Sequence, residues 1–263
     1  MSTREQQTQE TLSRRRRDAL VLLLAWAAGG VDAIGFLGLN HVFTANMTGN
    51  TVLLGLALGE GRGLAAWSNV IALVGFGLGV ALGALIVAGG VKPGEWDRRI
   101  TSAIFWEAMM LAAFTLLWHL TPGGALRSSL ALYLLIALSA LAMGIQSAAV
   151  RRLNLPGVST TYVTGTITTL IASATGRLRG AAPKPTPPQP AGEPVAATVP
   201  PAGHARLQAG VLILYGLSAL VSGLIQTRVP WLVAVPPLVA VGVVLLLVSF
   251  HHREHESRSE ARS

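Results

Sequence analysis

Six long apolar stretches constrain this chain more than any other feature of its sequence, because each can cross a lipid bilayer, which takes about 20 apolar residues. They cover residues 18–39, 64–91, 100–121, 128–150, 207–227 and 229–250. Backbone groups inside a bilayer must be hydrogen-bonded within their own segment, so each stretch is predicted to be a helix. Only 12% of the residues are charged, against about 25% in soluble domains. The sequence therefore predicts an all-α integral membrane protein with six transmembrane helices, not an ordinary soluble enzyme.

The distribution of basic residues predicts which ends of these helices face the cytoplasm. If the N-terminus is cytoplasmic, 17 of the 20 Lys and Arg residues fall in the inside segments 1–17, 92–99, 151–206 and 251–263. Cytoplasmic loops of membrane proteins are enriched in Lys and Arg in this way. We therefore expect both termini in the cytoplasm. We attribute the net charge of +8 to the basic residues of the predicted cytoplasmic segments and to their contact with the lipid bilayer. No nucleic acid is expected as a partner.

The N-terminal arginines have an alternative interpretation as an export signal. Residues 13–17, followed by the apolar run 19–28, resemble a signal peptide with a cleavage site near Ala27. The five later spans need no cleaved leader, so an uncleaved first span is the preferred interpretation.

Outside the spans, the chain divides into polar segments. Residues 1–17 and 251–263 are predicted to be cytoplasmic tails. Residues 177–204 are predicted to be a disordered cytoplasmic loop, because eight of the 14 prolines lie in 181–204, interleaved with alanine. The rest, 18–176 and 205–250, is predicted to form a single membrane domain.

A shift of 116 residues reveals an internal repeat. Residues 33–49 align with 149–165 at seven identical positions of 17, including a shared Thr-x-x-x-Thr-Gly. Each copy follows the first span of a three-span half, about 18–121 and 128–250. Because three is odd, the second half enters the membrane from the opposite side. The sequence thus predicts two inverted three-helix repeats, an arrangement that recurs in transporters. Chance similarity between apolar segments is the alternative.

Each repeat copy continues into an apolar segment too short to cross the membrane, 51–59 and 167–175. Nine residues of helix rise only about 14 Å, against a hydrocarbon core of about 30 Å. We therefore predict a short re-entrant or broken helix in each half. Counting the preceding polar residues as part of full spans would give eight crossings, but it would place the basic residues of 92–99 outside.

Two blocks of the sequence carry a family resemblance. The first consists of GVDA at 30–33, FL at 36–37, FTANMTGN at 43–50 and Gly55. The second consists of GIQ at 144–146, RR at 151–152, PGV at 156–158 and TTYVTGT at 160–166. Together they resemble the YoaK family of bacterial membrane proteins, also called domain of unknown function 1275, over about 18–250. The resemblance implies a multi-pass protein of the bacterial cytoplasmic (inner) membrane and supplies no established activity.

Two acidic residues lie within the predicted spans, Asp32 and Glu107. Asp32 is about 20 Å from the cytoplasmic edge of its span, where an ionised carboxylate costs at least about 2.5 kcal/mol. It is therefore expected to face the protein interior or water. There it either exchanges a proton or binds a solute, or it fixes a helix contact as a hydrogen-bonded acid. Glu107 lies at a depth similar to that of Gln146, which predicts a polar contact between them or a functional role for Glu107.

The Thr-Gly motifs supply the other candidate site residues. Each segment is expected to enter the membrane, turn near Gly49 or Gly165, and continue as a short helix whose positive N-terminal end points inward. Asn50 or Thr48 is expected to cap the helix that starts near Thr51. The candidate substrate-binding or coupling residues are Asp32, Asn46, Thr48, Gly49, Asn50, Glu107, Gln146, Thr164, Gly165 and Thr166.

Three glycines form two consecutive G-x-x-x-G steps on the second span, at Gly75, Gly79 and Gly83. Small residues let helices approach closely in lipid. This face therefore predicts helix packing, either between the two halves or between the protomers of a homo-oligomer.

No recognisable catalytic motif is present, and neither a cofactor nor a metal is expected. Cys is absent, and the histidines at 251, 252 and 255 do not match the HExxH spacing of zinc sites. The intramembrane acid, the broken segments and the repeat favour a transporter or channel for a small polar solute of unknown identity, with Asp32 as the candidate for proton coupling. Alternatives are a membrane-embedded enzyme that uses Asp32, Glu107 or His41, and a non-transporting scaffold.

Overall fold

A computed structural model of the chain describes residues 3–89, 96–121, 129–155, 165, 167–168, 170–171, 175 and 202–260. None of these residues lies in a β-strand. The helices are α1 (Thr3–Gly38), α2 (Met47–Gly59), α3 (Gly63–Val87), α4 (Arg98–Leu120), α5 (Ser129–Arg152), α6 (Ala202–Arg228) and α7 (Val235–Glu260), with a 3-10 turn at Pro230–Leu232.

In the described ranges, six helices are long and apolar enough to cross a bilayer, all but α2. Large apolar side chains are exposed along them, including Leu78 and Leu82 on α3 and Leu217 and Leu220 on α6. Soluble monomers rarely expose continuous apolar surface on this scale. The chain is therefore an all-helical, multi-pass membrane protein, and the predicted number of spans is confirmed.

Successive spanning helices run in opposite directions. The Arg99 guanidinium at the start of α4 lies against Gly89, just after α3. Asn40, just after α1, donates from Nδ2 to the Ser68 hydroxyl near the start of α3 at 3.2 Å. The bundle therefore has an N-terminal end, where α1, α4 and α6 begin and α3, α5 and α7 end, and an opposite end.

Helical structure extends into the segments predicted to be cytoplasmic tails. The predicted tail 1–17 is helical from Thr3, and α7 continues to Glu260. Helix α6 begins at Ala202, within the last residues of the predicted loop 177–204. The rest of that predicted loop, 177–201, lies outside the described residues.

The centre of the bundle is formed by α1 and α5, the first helix of each predicted half. Helix α1 packs on α6 and α7, and α5 packs on α3 and α4. One apolar cluster joins Leu24, Ile104, Met143 and Val244, from α1, α4, α5 and α7. This packing leaves α3 and α6 on the outside of the bundle, and they are the least buried of the six spanning helices.

The three glycines of α3 pack against α5 of the same chain. A Cβ at Gly79 would lie only 3.0 Å from the Cα of Gly144, and one at Gly83 would lie 2.8 Å from the Cβ of Ala148. Gly75 meets α5 one turn earlier, so the two helices run parallel. The packing is thus between the two halves. The alternative of a homo-oligomer through this face is not supported, because α5 already occupies it.

Candidate functional site

The connection between α1 and α2 turns back along α1 instead of leaving the bundle. After α1 ends, Asn40 and His41 have φ angles of +62° and +59°, a left-handed conformation in which Asn is enriched. The carbonyl oxygen of Val42 then lies 2.5 Å from where a Cβ of Gly35 would be, so only glycine allows this close approach. We call residues 39–46 the returning connection.

Asp32 binds the returning connection at its deepest point. Its Oδ1 accepts hydrogen bonds from the backbone N–H groups of Thr44 at 2.7 Å and Ala45 at 2.6 Å, and from the Thr44 hydroxyl at 3.2 Å. Its Oδ2 accepts a hydrogen bond from the hydroxyl of Tyr215 on α6. All three partners are held by one carboxyl group that is only 3% exposed. Since backbone N–H groups outside a helix need another acceptor when buried, Asp32 allows non-helical backbone to exist at this depth.

Small residues bring α6 close enough for Tyr215 to reach Asp32. Gly29 lies directly against the backbone of Tyr215. One turn further along α6, the Ser218 hydroxyl donates to the carbonyl oxygen of Trp26 at 2.5 Å. Tyr215 is not among the residues predicted from the sequence, because no sequence pattern links two residues 183 positions apart.

Helix α2 begins at Met47, earlier than the predicted start near Thr51. The residue that caps it also differs from the prediction. Its N-cap is Asn46, whose side chain accepts from the N–H of Gly49 at 3.2 Å. The predictions that Asn50 or Thr48 caps the helix and that the chain turns at Gly49 are therefore wrong, and Gly49 lies in the first helical turn. Asn50 is buried and pairs with Phe43: its Nδ2 donates to the Phe43 carbonyl at 2.6 Å, and its Oδ1 accepts from the Phe43 N–H at 2.9 Å. Thr48 is exposed.

Glu107 and Gln146 do not form the hydrogen bond that their similar depth predicted. The Gln146 side chain donates from Nε2 to the carbonyl oxygen of Leu24 on α1 at 3.2 Å. Glu107 is fully buried, and neither of its carboxyl oxygens has a hydrogen-bond partner among the described residues. Because Leu24 lies eight residues before Asp32, about 12 Å along the helix, Gln146 lies well away from the Asp32 site.

The structure brings part of the predicted set together. Asp32, Asn46, Gly49 and Asn50 surround the returning connection. His41 is exposed and contacts the Phe36 ring edge-on at 5.0 Å between ring centroids. In the second repeat, Gly165 is helical, whereas Thr164 and Thr166 lie outside the described residues.

Comparison with known proteins identifies the relatives of this chain. The profile of a family described as "Protein of unknown function (DUF1275)" matches residues 20–248. The chain belongs to this family. It is also 41% identical over 162 residues to the UPF0700 transmembrane protein YoaK of Bacillus subtilis (strain 168), which covers 62% of this chain and 69% of that protein. No solved structure matches.

The DUF1275 match includes every candidate site residue, because it extends from before Asp32 to beyond Gly165. The predicted family is thereby confirmed. Neither the family description nor the name of the Bacillus protein states an activity, so the function must be argued from the geometry.

Proposed function

We propose that this protein transports a small polar solute across the bacterial cytoplasmic membrane, along a path beside the returning connection. The observation that carries the proposal is non-helical backbone bound to an intramembrane carboxyl group. Such backbone occurs at membrane depth only where it is buried in protein or lines a water-filled cavity. In transporters it accompanies broken helices at the solute site.

The start of α2 supplies donors suited to a polar solute. The N-terminal end of a helix carries partial positive charge and unpaired N–H groups. Thr48 adds a hydroxyl group in the first turn, and it is exposed beside the buried Asp32 site. An exposed hydroxyl at this depth faces either lipid or water, and a solute path would provide the water.

Two helix crossings support the inverted-repeat part of the proposal. Helix α1 packs on α6 with Gly29 against the backbone of Tyr215, and α5 packs on α3 with Gly144 against the backbone of Phe76. Each pair joins the first helix of one half to the second spanning helix of the other half. Under the 116-residue shift, Gly29 corresponds to position 145, directly after Gly144. The two crossings therefore lie at nearly equivalent positions of the two halves, which supports an inverted repeat.

Among the described residues of the second half that lie in its spans, 129–155 and 202–250, there is no carboxyl group to take the place of Asp32. The same shift puts Ala148 at the position of Asp32, and Phe76 takes the place of Tyr215 at the other crossing. Neither can supply the carboxyl or the hydroxyl group. We therefore assign the solute site to the first half.

A membrane enzyme gains no support from this arrangement. A hydrolytic or acid–base site would need convergent groups that are free to react. Instead, the carboxyl group of Asp32 is occupied by its hydrogen-bond partners, and no hydrogen bond joins it to Glu107.

We propose that the N-terminal end of the bundle faces the cytoplasm, because Arg98, Arg151 and Arg206 lie at helix ends there. The cysteine-free chain allows a clean test with single-cysteine variants and a membrane-impermeant maleimide. Gly63→Cys at the opposite end is expected to react in intact spheroplasts, and Arg98→Cys only after lysis. Labelling of Arg98→Cys in intact spheroplasts would show that the N-terminal end of the bundle faces outward and would contradict the proposed topology.

Solute flux into proteoliposomes tests the proposed function. Glycerol, alanine, acetate and inorganic phosphate would be offered as neutral, zwitterionic and anionic probes, each with and without a pH gradient. We expect one class to enter faster than into protein-free liposomes of the same lipid. If none of the four probes entered faster than into protein-free liposomes, the result would contradict the proposal and favour a scaffold.

A further inference from the structure

Glu107 is a buried acid without a partner. Helix α4 begins at Arg98, and Glu107 lies nine residues later, about 14 Å along the helix. Its side chain is 0% exposed, and neither carboxyl oxygen has a hydrogen-bond partner among the described residues. The neighbouring turns of the same face carry Ile104 and Leu111, both in the apolar core. An ionised carboxylate in such surroundings carries a cost that no contact offsets.

The contrast with Asp32 separates the roles of the two carboxyl groups. Asp32 accepts hydrogen bonds from two backbone N–H groups and two hydroxyl groups, and donors of this kind favour a charged acceptor. No described residue donates a hydrogen bond to Glu107. The group that can change its charge with little rearrangement of hydrogen bonds is therefore Glu107.

Among the described residues, the helices packed on α4 place no charged side chain in an ion pair with the Glu107 carboxyl group. Helices α3, α5 and α7 make the extensive contacts with α4, and α1 meets α4 in the shared apolar cluster. The acid within the span of α1 is Asp32, which is bound to Thr44, Ala45 and Tyr215. The ion pairs found among the described residues, Arg17–Asp18 and Arg62–Glu60, do not include Glu107. Helix α3 and residues 235–250 of α7 contain no titratable side chain, and the titratable side chains of α5 and of α4 itself lie near the helix ends: Tyr133, Arg151, Arg152, Arg98, Arg99 and His119.

We propose that Glu107 is the proton-binding site of the transport cycle; this inference rests on the proposed function. In the packed state described here, Glu107 is the neutral acid. When α4 separates from the helices that cover it, water reaches the carboxyl group, the O–H bond breaks, and the proton passes to water as hydronium, leaving a hydrated carboxylate. Repacking requires the reverse step. Asp32 then serves as a fixed anchor of the returning connection.

Infrared difference spectroscopy of the full-length protein in lipid tests the proton site directly. The buffer would be stepped from acidic to alkaline pH without sodium. We expect a carbonyl stretch of a protonated acid without a hydrogen bond, which disappears in Glu107→Gln and persists in Asp32→Asn. Glu107→Asp keeps the acid and is expected to shift this band. Absence of the band from the wild type, its survival in Glu107→Gln, or its loss on addition of sodium at constant pH would overturn the assignment.

Flux measurements test the coupling. Glu107→Gln is expected to exchange solute at equal pH on both sides but to lose acceleration by a pH gradient. Full acceleration in this variant would overturn the inference and leave the proposed function intact. The infrared experiment reports on Glu107 whether or not any solute moves, so the two failures can be told apart.

Discussion

Asp32→Ala is expected to lower the free energy of unfolding by at least about 3 kcal/mol, because each buried donor left without an acceptor costs about 1–3 kcal/mol. Four groups lose their acceptor: the N–H groups of Thr44 and Ala45 and the hydroxyls of Thr44 and Tyr215. The returning connection would then lose the carboxyl group that binds Thr44 and Ala45. Thermal unfolding of the purified protein in detergent measures the effect.

Two milder substitutions should give a graded series. Asp32→Asn keeps an oxygen that accepts from Thr44 and Ala45 but presents an amide nitrogen to Tyr215, so a smaller loss is expected. Tyr215→Phe removes a single hydrogen bond and should cost least. Combining the two should cost less than their sum, because both break the same contact.

Asp18→Ala is the matched control for this series. Asp18 is a partly exposed acid of the same helix, paired with Arg17 at 3.4 Å, and exposed ion pairs contribute only about 0–1 kcal/mol. Equal stability of Asp32→Ala and Asp18→Ala would show that Asp32 does not hold the connection.

Gly79→Leu is expected to separate α3 from α5 and to destabilise the protein by about 1–3 kcal/mol or more, as overpacking does. A side chain at Gly79 would meet the backbone of Leu141 and Gly144, which cannot move aside as a flexible side chain can. Gly77→Leu is the control, since a Cβ at Gly77 has nothing within 4 Å. The melting temperature should fall for Gly79→Leu only. A similar melting temperature for both variants would contradict the described packing.

The fold followed from the sequence to the extent that the bilayer dictates it. Apolar length decides where a span lies. The ends of α3, α4 and α5 therefore fall within two residues of their predicted positions, except the C-terminal end of α3. The start of α2 was misplaced because Asn46, Thr48 and Asn50 are all good caps. The structure excludes Asn50 as the cap because its side chain is hydrogen-bonded to the backbone of Phe43.

The site was predictable in its chain position but not in its contacts. The charge of Asp32 within a span and the polar residues that follow marked the region. Rotation about the helix axis is not set by depth, so the similar depths of Glu107 and Gln146 did not imply contact. The partner helix is not encoded locally either: the glycines of α3 indicated close packing, and only the three-dimensional structure assigns them to α5.

The most direct test of a solute path beside the returning connection is flux through Thr48→Cys before and after reaction with a charged, water-soluble thiol reagent. Thr48 is exposed in the first turn of α2, and Leu220 on the outer helix α6, 59% exposed, gives an apolar control as Leu220→Cys. We predict that the reagent modifies Thr48→Cys and stops its flux, while Leu220→Cys stays unmodified and active. Unchanged flux after complete modification of Thr48→Cys, or no modification from either side of the membrane, would contradict the proposed path.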